Sequence, residues 1–202
     1  RDAASFQELI WLLYDDPDCV REALEVHARF CATLADRILR QTPVEYALFS
    51  EPIGSTHGPL VSPGMYHDLV LNSYRPIFNT LRNHQVDTVV FATYANARSL
   101  LDAVLEAGCN ALWSMESESP EMDYRILRRQ YGADLRLIGG IDLDVLNRGP
   151  ESIRREVLDK VPALCAQGGV IPLADGRVRA TVPYRNYVYY RELLESVVSG
   201  RG

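Results

Sequence analysis

The sequence predicts an α/β fold built on a parallel sheet, and three features of its 202 residues carry that reading. Short apolar runs alternate with stretches of helical periodicity, five times over. Each run is mostly apolar rather than strictly alternating, the pattern of a parallel strand covered on both faces. Polar and titratable residues follow every run, and in folds of this class the carboxyl ends of the strands form the ligand-binding face. Strand followed by helix, repeated, implies right-handed βαβ units.

The elements follow in chain order. Asp16-Pro17 reads as the cap and first turn of a long helix reaching about Arg40, because an aspartate accepts from the free amides of a helix start and proline presets φ. The strand candidates are residues 44–49, 88–92, 111–115, 135–138 and 170–173. Helices are expected at about 62–83, 97–107, 121–131, 151–165 and 184–198. Ser62-Pro63 supplies a capping hydroxyl ahead of one of them. Ala107-Gly108 and Tyr131-Gly132 end two others with the residue that tolerates left-handed geometry, and Gly149-Pro150 opens the next. No linker, low-complexity stretch or fixed-period repeat interrupts the chain, so residues 1–202 are expected to form a single domain.

The bulk numbers narrow the function. At 47% hydrophobic and 24% charged, the composition is that of an ordinary globular protein with material for one sizeable core. The 21 basic and 27 acidic residues give a net charge of −6, which offers no electrostatic footprint for nucleic acid or an anionic bilayer. No apolar run reaches the roughly 18 residues needed to cross a membrane, and Arg1-Asp2-Ala3-Ala4-Ser5 lacks the layout of a secretory signal, so a cytoplasmic location is expected. Cys19, Cys31, Cys109 and Cys165 are scattered and read as buried, reduced thiols rather than a disulfide or metal framework.

The residues that would converge at the strand ends are Ser50, Glu51 and later His57 after the first run, and Thr93, Tyr94, Ala95 and Asn96 after the second. Ser114, Glu116 and Glu118 follow at the third, Gly139, Gly140 and Asp142 at the fourth, and Asp175, Arg177 and Arg179 at the fifth. Several segments around them resemble the uroporphyrinogen decarboxylase superfamily, which also contains corrinoid-dependent methyltransferases. Gly58-Pro59-Leu60-Val61-Ser62-Pro63-Gly64-Met65-Tyr66 looks like its GPxxSPxxF segment. Leu137-Ile138-Gly139-Gly140-Ile141-Asp142 resembles its GGID strand end, and Leu146 to Ile153 matches the helix start that follows. Gly168 to Val178, followed by Val182-Pro183-Tyr184-Arg185-Asn186-Tyr187, is similar to its last strand and helix. In this order the segments cover most of the chain.

The resemblance implies a TIM-barrel-like (β/α) architecture with its pocket at the carboxyl face, of which about five of the eight strand-helix units are present. The methyltransferase branch carries His-x-Cys and a further Cys as zinc ligands. At those places this chain reads Ala92-Thr93-Tyr94 and Leu173-Ala174-Asp175. The decarboxylases' Gly-His-Gly corresponds to Ala174-Asp175-Gly176, and their amino-terminal arginine loop and early aspartate have no counterpart. The expected function is therefore a lyase without metal or cofactor, acting on a carboxylated tetrapyrrole or aromatic substrate. The alternatives are methyl transfer with a corrinoid protein partner, and a non-catalytic ligand-binding barrel fragment. An open five-stranded sheet exposes an edge, so either self-association as a homo-oligomer or a missing amino-terminal segment is expected.

Each candidate residue has a competing bland reading. Glu51, Glu116 and Asp175 are the expected catalytic acids or bases, against surface carboxylates. Tyr94, Asn96, His57, Asp142 and Arg177 are expected to bind substrate. Asp142 equally suits the cap of the short helix after it, and His57 an exposed loop. His27, His67 and His84 are expected to be structural or superficial, and the Tyr184, Tyr187, Tyr189 and Tyr190 cluster to pack in the core.

Overall fold

The computed structural model describes residues 5–115 and 119–200. Its contacts divide the chain into two compact units. The first, Arg1–Ala47, Val61–Val89 and Leu100–Cys109, is helical. Helix α1 (Phe6–Asp15) starts at a reciprocal cap, in which the Ser5 hydroxyl accepts from the Glu8 amide and the Glu8 carboxylate accepts from the Ser5 amide. Helix α2 (Pro17–Leu39) starts where the sequence places it, with the Asp16 carboxylate accepting from the Cys19 amide at 3.0 Å. The expected 62–83 helix is in three parts: α3 (Pro63–Met65), capped by the Ser62 hydroxyl, a π-helical stretch at Tyr66–Leu71, and α4 (Asn72–Asn83). Helix α5 (Leu101–Ala107) ends at Gly108, φ 123°. The Asp36 carboxylate of α2 accepts from Arg40 and from His84 at 2.8 Å each, and these bonds hold it below the usual carboxylate range.

The second unit, Leu48–Leu60, Val90–Ser99 and Asn110–Gly202, carries the sheet. Its strands are β1 (Ala47–Ser50), β4 (Val89–Tyr94), β5 (Ala111–Met115), β6 (Arg136–Ile141) and β7 (Val170–Ala174), hydrogen-bonded in the order β1-β4-β5-β6-β7. A hairpin of β2 (Gly54–Ser55) and β3 (Gly58–Pro59) follows β1. The sheet is parallel, as the strand-helix alternation requires: Val90 pairs with Ala111, Leu112 with Leu137 and Ile138 with Ile171. Helices α6 (Tyr124–Tyr131), α7 (Val145–Arg148), α8 (Pro150–Cys165) and α9 (Tyr184–Val198) alternate with the later strands. The core beneath them contains Ile141, Leu146, Ile153, Val157, Val161, Ala174, Tyr190 and Leu194. At α8 the stripe Ile153, Val157, Val161 and Leu164 gives the three-and-four spacing of a helix with one buried face.

The expectation that every strand is covered on both faces holds for β4, buried at its first five positions, and fails at the sheet's margins. The in-register row Ala92, Trp113, Ile138, Ile171 passes from buried to 61% exposed at the edge strand β7, and β1 leaves Leu48 exposed. An edge strand has a neighbour on one side only, so its outward row loses cover first.

Two other expectations are corrected. Of the four free cysteines only Cys109 is buried, whereas Cys19 is exposed because it lies in the first turn of α2 on the solvent side. Within the tyrosine cluster Tyr190 is core, its hydroxyl accepting from the Ala174 amide at 2.7 Å, but Tyr184 at the start of α9 is exposed. The buried Arg128 of α6 works on the backbone. Its guanidinium donates to the carbonyls of Gly132, Gly168 and Gly169, tying two loops together, and burial lowers its pKa.

Candidate active site

The carboxyl ends of β5, β6 and β7 meet the start of α6 and one face of α8 around a cavity of about 260 Å3. Its lining includes Ser114 from β5, Gly140 and Asp142 from the end of β6, and Asp175 immediately after β7. Asp123 and Tyr124 reach it from the start of α6, Glu156 and Lys160 from α8, and Asp144 and Arg179 from loops.

The backbone at the centre of this wall is set by Tyr124. Its buried hydroxyl donates to the Ile138 carbonyl at 2.7 Å and accepts from the Ser114 amide at 2.9 Å, tying the ends of β5 and β6 together. Burial raises its pKa, so it stays a phenol. The ring lies so close to Gly140 that an added Cβ would meet it at 2.8 Å, and Gly140 takes φ +92°, a conformation other residues avoid. This gives the glycine pair at 139–140 its physical reason. Replacing Tyr124 by Phe leaves a buried amide and a carbonyl unpaired, and is expected to lower stability by about 2 kcal/mol in urea denaturation. A loss under about 0.5 kcal/mol would mean that water takes over both bonds.

Asp175 is the most perturbed acid. It is 7% exposed, and burial drives its carboxyl up to about 7. Asp142 and Glu156 push the same way, while Lys160 and the Gly140 amide, donating to Oδ1 at 3.2 Å, oppose it. The neighbours form two linked pairs. Lys160 holds Glu156 at 2.5 Å one turn along α8, and the Asp142 amide donates to the same Glu156 oxygen at 3.0 Å. Arg179 holds Asp144 at 2.7 Å. Asp123 is tugged upward by burial, but the Arg125 guanidinium bound to it outweighs this and leaves the carboxyl low. The cavity thus sets one carboxyl that titrates near neutrality among carboxylates already engaged with cations. A group poised in this way can give or take a proton at physiological pH.

Among the residues expected from sequence, Asp175 and Asp142 meet in this cavity. Asp142 also accepts from the Asp144 amide at 2.8 Å, in the turn that leads into α7; the cap position of that helix is Asp144, so Asp142 lines the cavity but does not cap the helix as the sequence suggested. Glu51 is half-buried at the end of β1, its amide donating to Ala92. Tyr94 is exposed at the end of β4. Asn96 is bridged to Ser55 of the hairpin and donates to the Glu121 carboxylate at 3.2 Å. His57 is exposed in the hairpin turn. Arg177 is exposed and does not line the cavity, whereas Arg179 two positions on does. Glu116 and Glu118 lie outside the described residues. Among the lining residues that sequence reasoning passed over are Asp123, Tyr124, Asp144, Glu156 and Lys160. A signal existed for the last two: they sit three residues after Ile153 and Val157, on the face of α8 that the apolar stripe buries.

Among the described residues no group of three or more His, Cys, Asp or Glu side chains is placed to hold a metal ion, and no helix is long and apolar enough to cross a membrane.

Residues 2–171 match the family model described as uroporphyrinogen decarboxylase (URO-D). The chain belongs to the uroporphyrinogen decarboxylase family. Curated members named uroporphyrinogen decarboxylase from Paraburkholderia phytofirmans and Paraburkholderia xenovorans are 27% and 26% identical to it over 159 residues, covering 76% of this chain. The aligned part is 40% of the length of each relative. The parallel α/β architecture with flanking helices agrees with part of a TIM-barrel-like URO-D fold. The motif segments from Gly58 to Ile153 thus lie within the stretch that the family model spans, which ends inside β7.

Proposed function

We propose that the cavity at the ends of β5, β6 and β7 is a proton-transfer site of a carboxy-lyase, acting on a carboxylated tetrapyrrole or other aromatic substrate. The observation that carries the reading is Asp175, a buried carboxyl after the last strand whose pKa stands at about 7. In decarboxylation the bond between a substrate carbon and its carboxylate breaks, CO2 leaves, and the electron pair stays on carbon. That carbon then needs a proton. Asp175 in its neutral form donates it and is left as the carboxylate, which regains its proton from solvent. Lys160 and Arg179 are the cations in the lining. Each is held by a protein carboxylate, so a substrate carboxylate would have to displace Glu156 or Asp144 to reach them. Family membership and the names of the Paraburkholderia relatives support the choice of substrate class.

The test is direct. The purified protein is incubated anaerobically with uroporphyrinogen, and CO2 release and stepwise loss of carboxyl mass are followed. Turnover that disappears in Asp175→Asn supports the reading. Binding without CO2 release would instead make this a ligand-binding chain.

A further inference from the structure

The first unit contains a second cavity, of about 380 Å3, between α4 and α5. Its walls differ in kind from those of the acidic site described above. Asn72, Arg75, Asn79 and Arg82 recur along α4 at intervals of three, four and three residues, which puts all four on one face. Ala103 and Ala107 of α5 lie opposite, one turn apart, and their small side chains leave the groove open above Phe78.

The two arginines differ from three others of this unit. Arg21, Arg29 and Arg40 each have a carboxylate three or four residues before them on the same helix. Helix α4 contains no acidic residue, and the positions that would hold partners for Arg75 and Arg82 carry asparagine instead. Among the described residues neither guanidinium makes an ion pair or a hydrogen bond. At the start of the groove stand His67, bonded to Asp68, and Leu71, both placed by the π-helical stretch Tyr66–Leu71. A π-helical register is rare and recurs at functional positions. Glu106 of α5 is the one carboxylate in the lining. With His67 neutral the groove is net positive, in a chain whose net charge is −6.

We propose that this groove binds a small oxyanion. Two unpaired guanidinium forks interleaved with amide donors suit phosphoryl or carboxylate oxygens, which accept paired bonds from such forks. Phe78 and the two alanines form an apolar floor, so the ligand carries its charge toward α4 and uncharged bulk toward α5.

The experiment is a calorimetric titration of the protein with sodium pyrophosphate and, separately, with sodium succinate, at fixed ionic strength. One saturable site per chain is expected. Arg75→Gln and Arg82→Gln should each weaken binding tenfold or more, while Glu106→Gln should strengthen it severalfold by removing the opposing charge. Arg129→Gln, an exposed arginine on α6, should leave affinity unchanged, with circular dichroism confirming that every variant is folded. Response to pyrophosphate alone marks the site as phosphoryl-selective, and response to both marks a general oxyanion site. Failure of both anions to saturate, or an Arg129→Gln loss equal to that of the groove variants, overturns the proposal.

Discussion

Asp175→Asn is expected to abolish most turnover and, at alkaline pH, to make the protein more stable. The two effects share one cause. The folded-state carboxyl stands at about 7 because burial disfavours its charged form, whereas in the unfolded chain an aspartate ionises near 4. Below about pH 4 both states hold the proton and the residue is neutral in each. Between there and pH 7 the unfolded state has released its proton while the folded state retains it, so wild-type stability falls as pH rises. Above pH 7 the folded state carries a buried charge, and the accumulated cost is about 4 kcal/mol. Asparagine keeps the oxygen that accepts from the Gly140 amide and never ionises. Denaturation at pH 4.5 and pH 8 should therefore show a pH-dependent loss in the wild type that is absent in the variant. Equal pH slopes in the two proteins would show that Lys160 neutralises the group in the folded state. As a proton donor Asp175 is expected to account for about 10²- to 10⁴-fold in kcat/KM, with the wild-type rate falling as pH rises through 7.

The Gly54→Ala variant is expected to lose about 3 kcal/mol or more of stability. A Cβ at Gly54 would lie 1.9 Å from the Tyr94 carbonyl oxygen and 3.3 Å from the Asn96 carbonyl carbon. Both obstacles are backbone, so no side-chain rotation relieves the clash. The hairpin would have to leave the end of β4, breaking the Ser55–Asn96 bridge and the 3.0 Å bond from the Asn96 amide to Ser55. Gly64→Ala is the control, because nothing lies within 4 Å of a Cβ there and the residue sits in the short helix α3. Its stability should change by less than about 0.5 kcal/mol. Hydrogen exchange at the Asn96 amide reads the local event: it should accelerate in Gly54→Ala and stay slow in Gly64→Ala. An unchanged midpoint for Gly54→Ala would mean that the hairpin does not pack against β4 in solution.

The catalytic candidates were unevenly legible. Asp142 and Asp175 stand directly after strands, and strand ends can be read from apolar runs and glycines, so these two emerged from local pattern. Tyr124 did not, because its role depends on a hydroxyl reaching across to Ile138 of β6 and Ser114 of β5, partners 14 and 10 residues away. Lys160 and Glu156 look like an ordinary surface pair in sequence, and only the packing of α8 against the strand ends turns them into the electrostatic surroundings of Asp175. Arg177 and Arg179 were indistinguishable by spacing. The direction of the loop after β7 separated them.

The sequence by itself determined the alternation of five parallel strands with helices, the caps at Asp16 and Ser62 and the family, because hydrophobic period, capping chemistry and contiguous motifs are local properties. Tertiary structure alone decided which carboxyl is buried enough to titrate near neutrality, where edge strands leave apolar rows exposed, and which arginines remain without partners. Burial and Coulomb energy depend on distances between residues remote in the chain, and no reading of neighbours along it contains those distances.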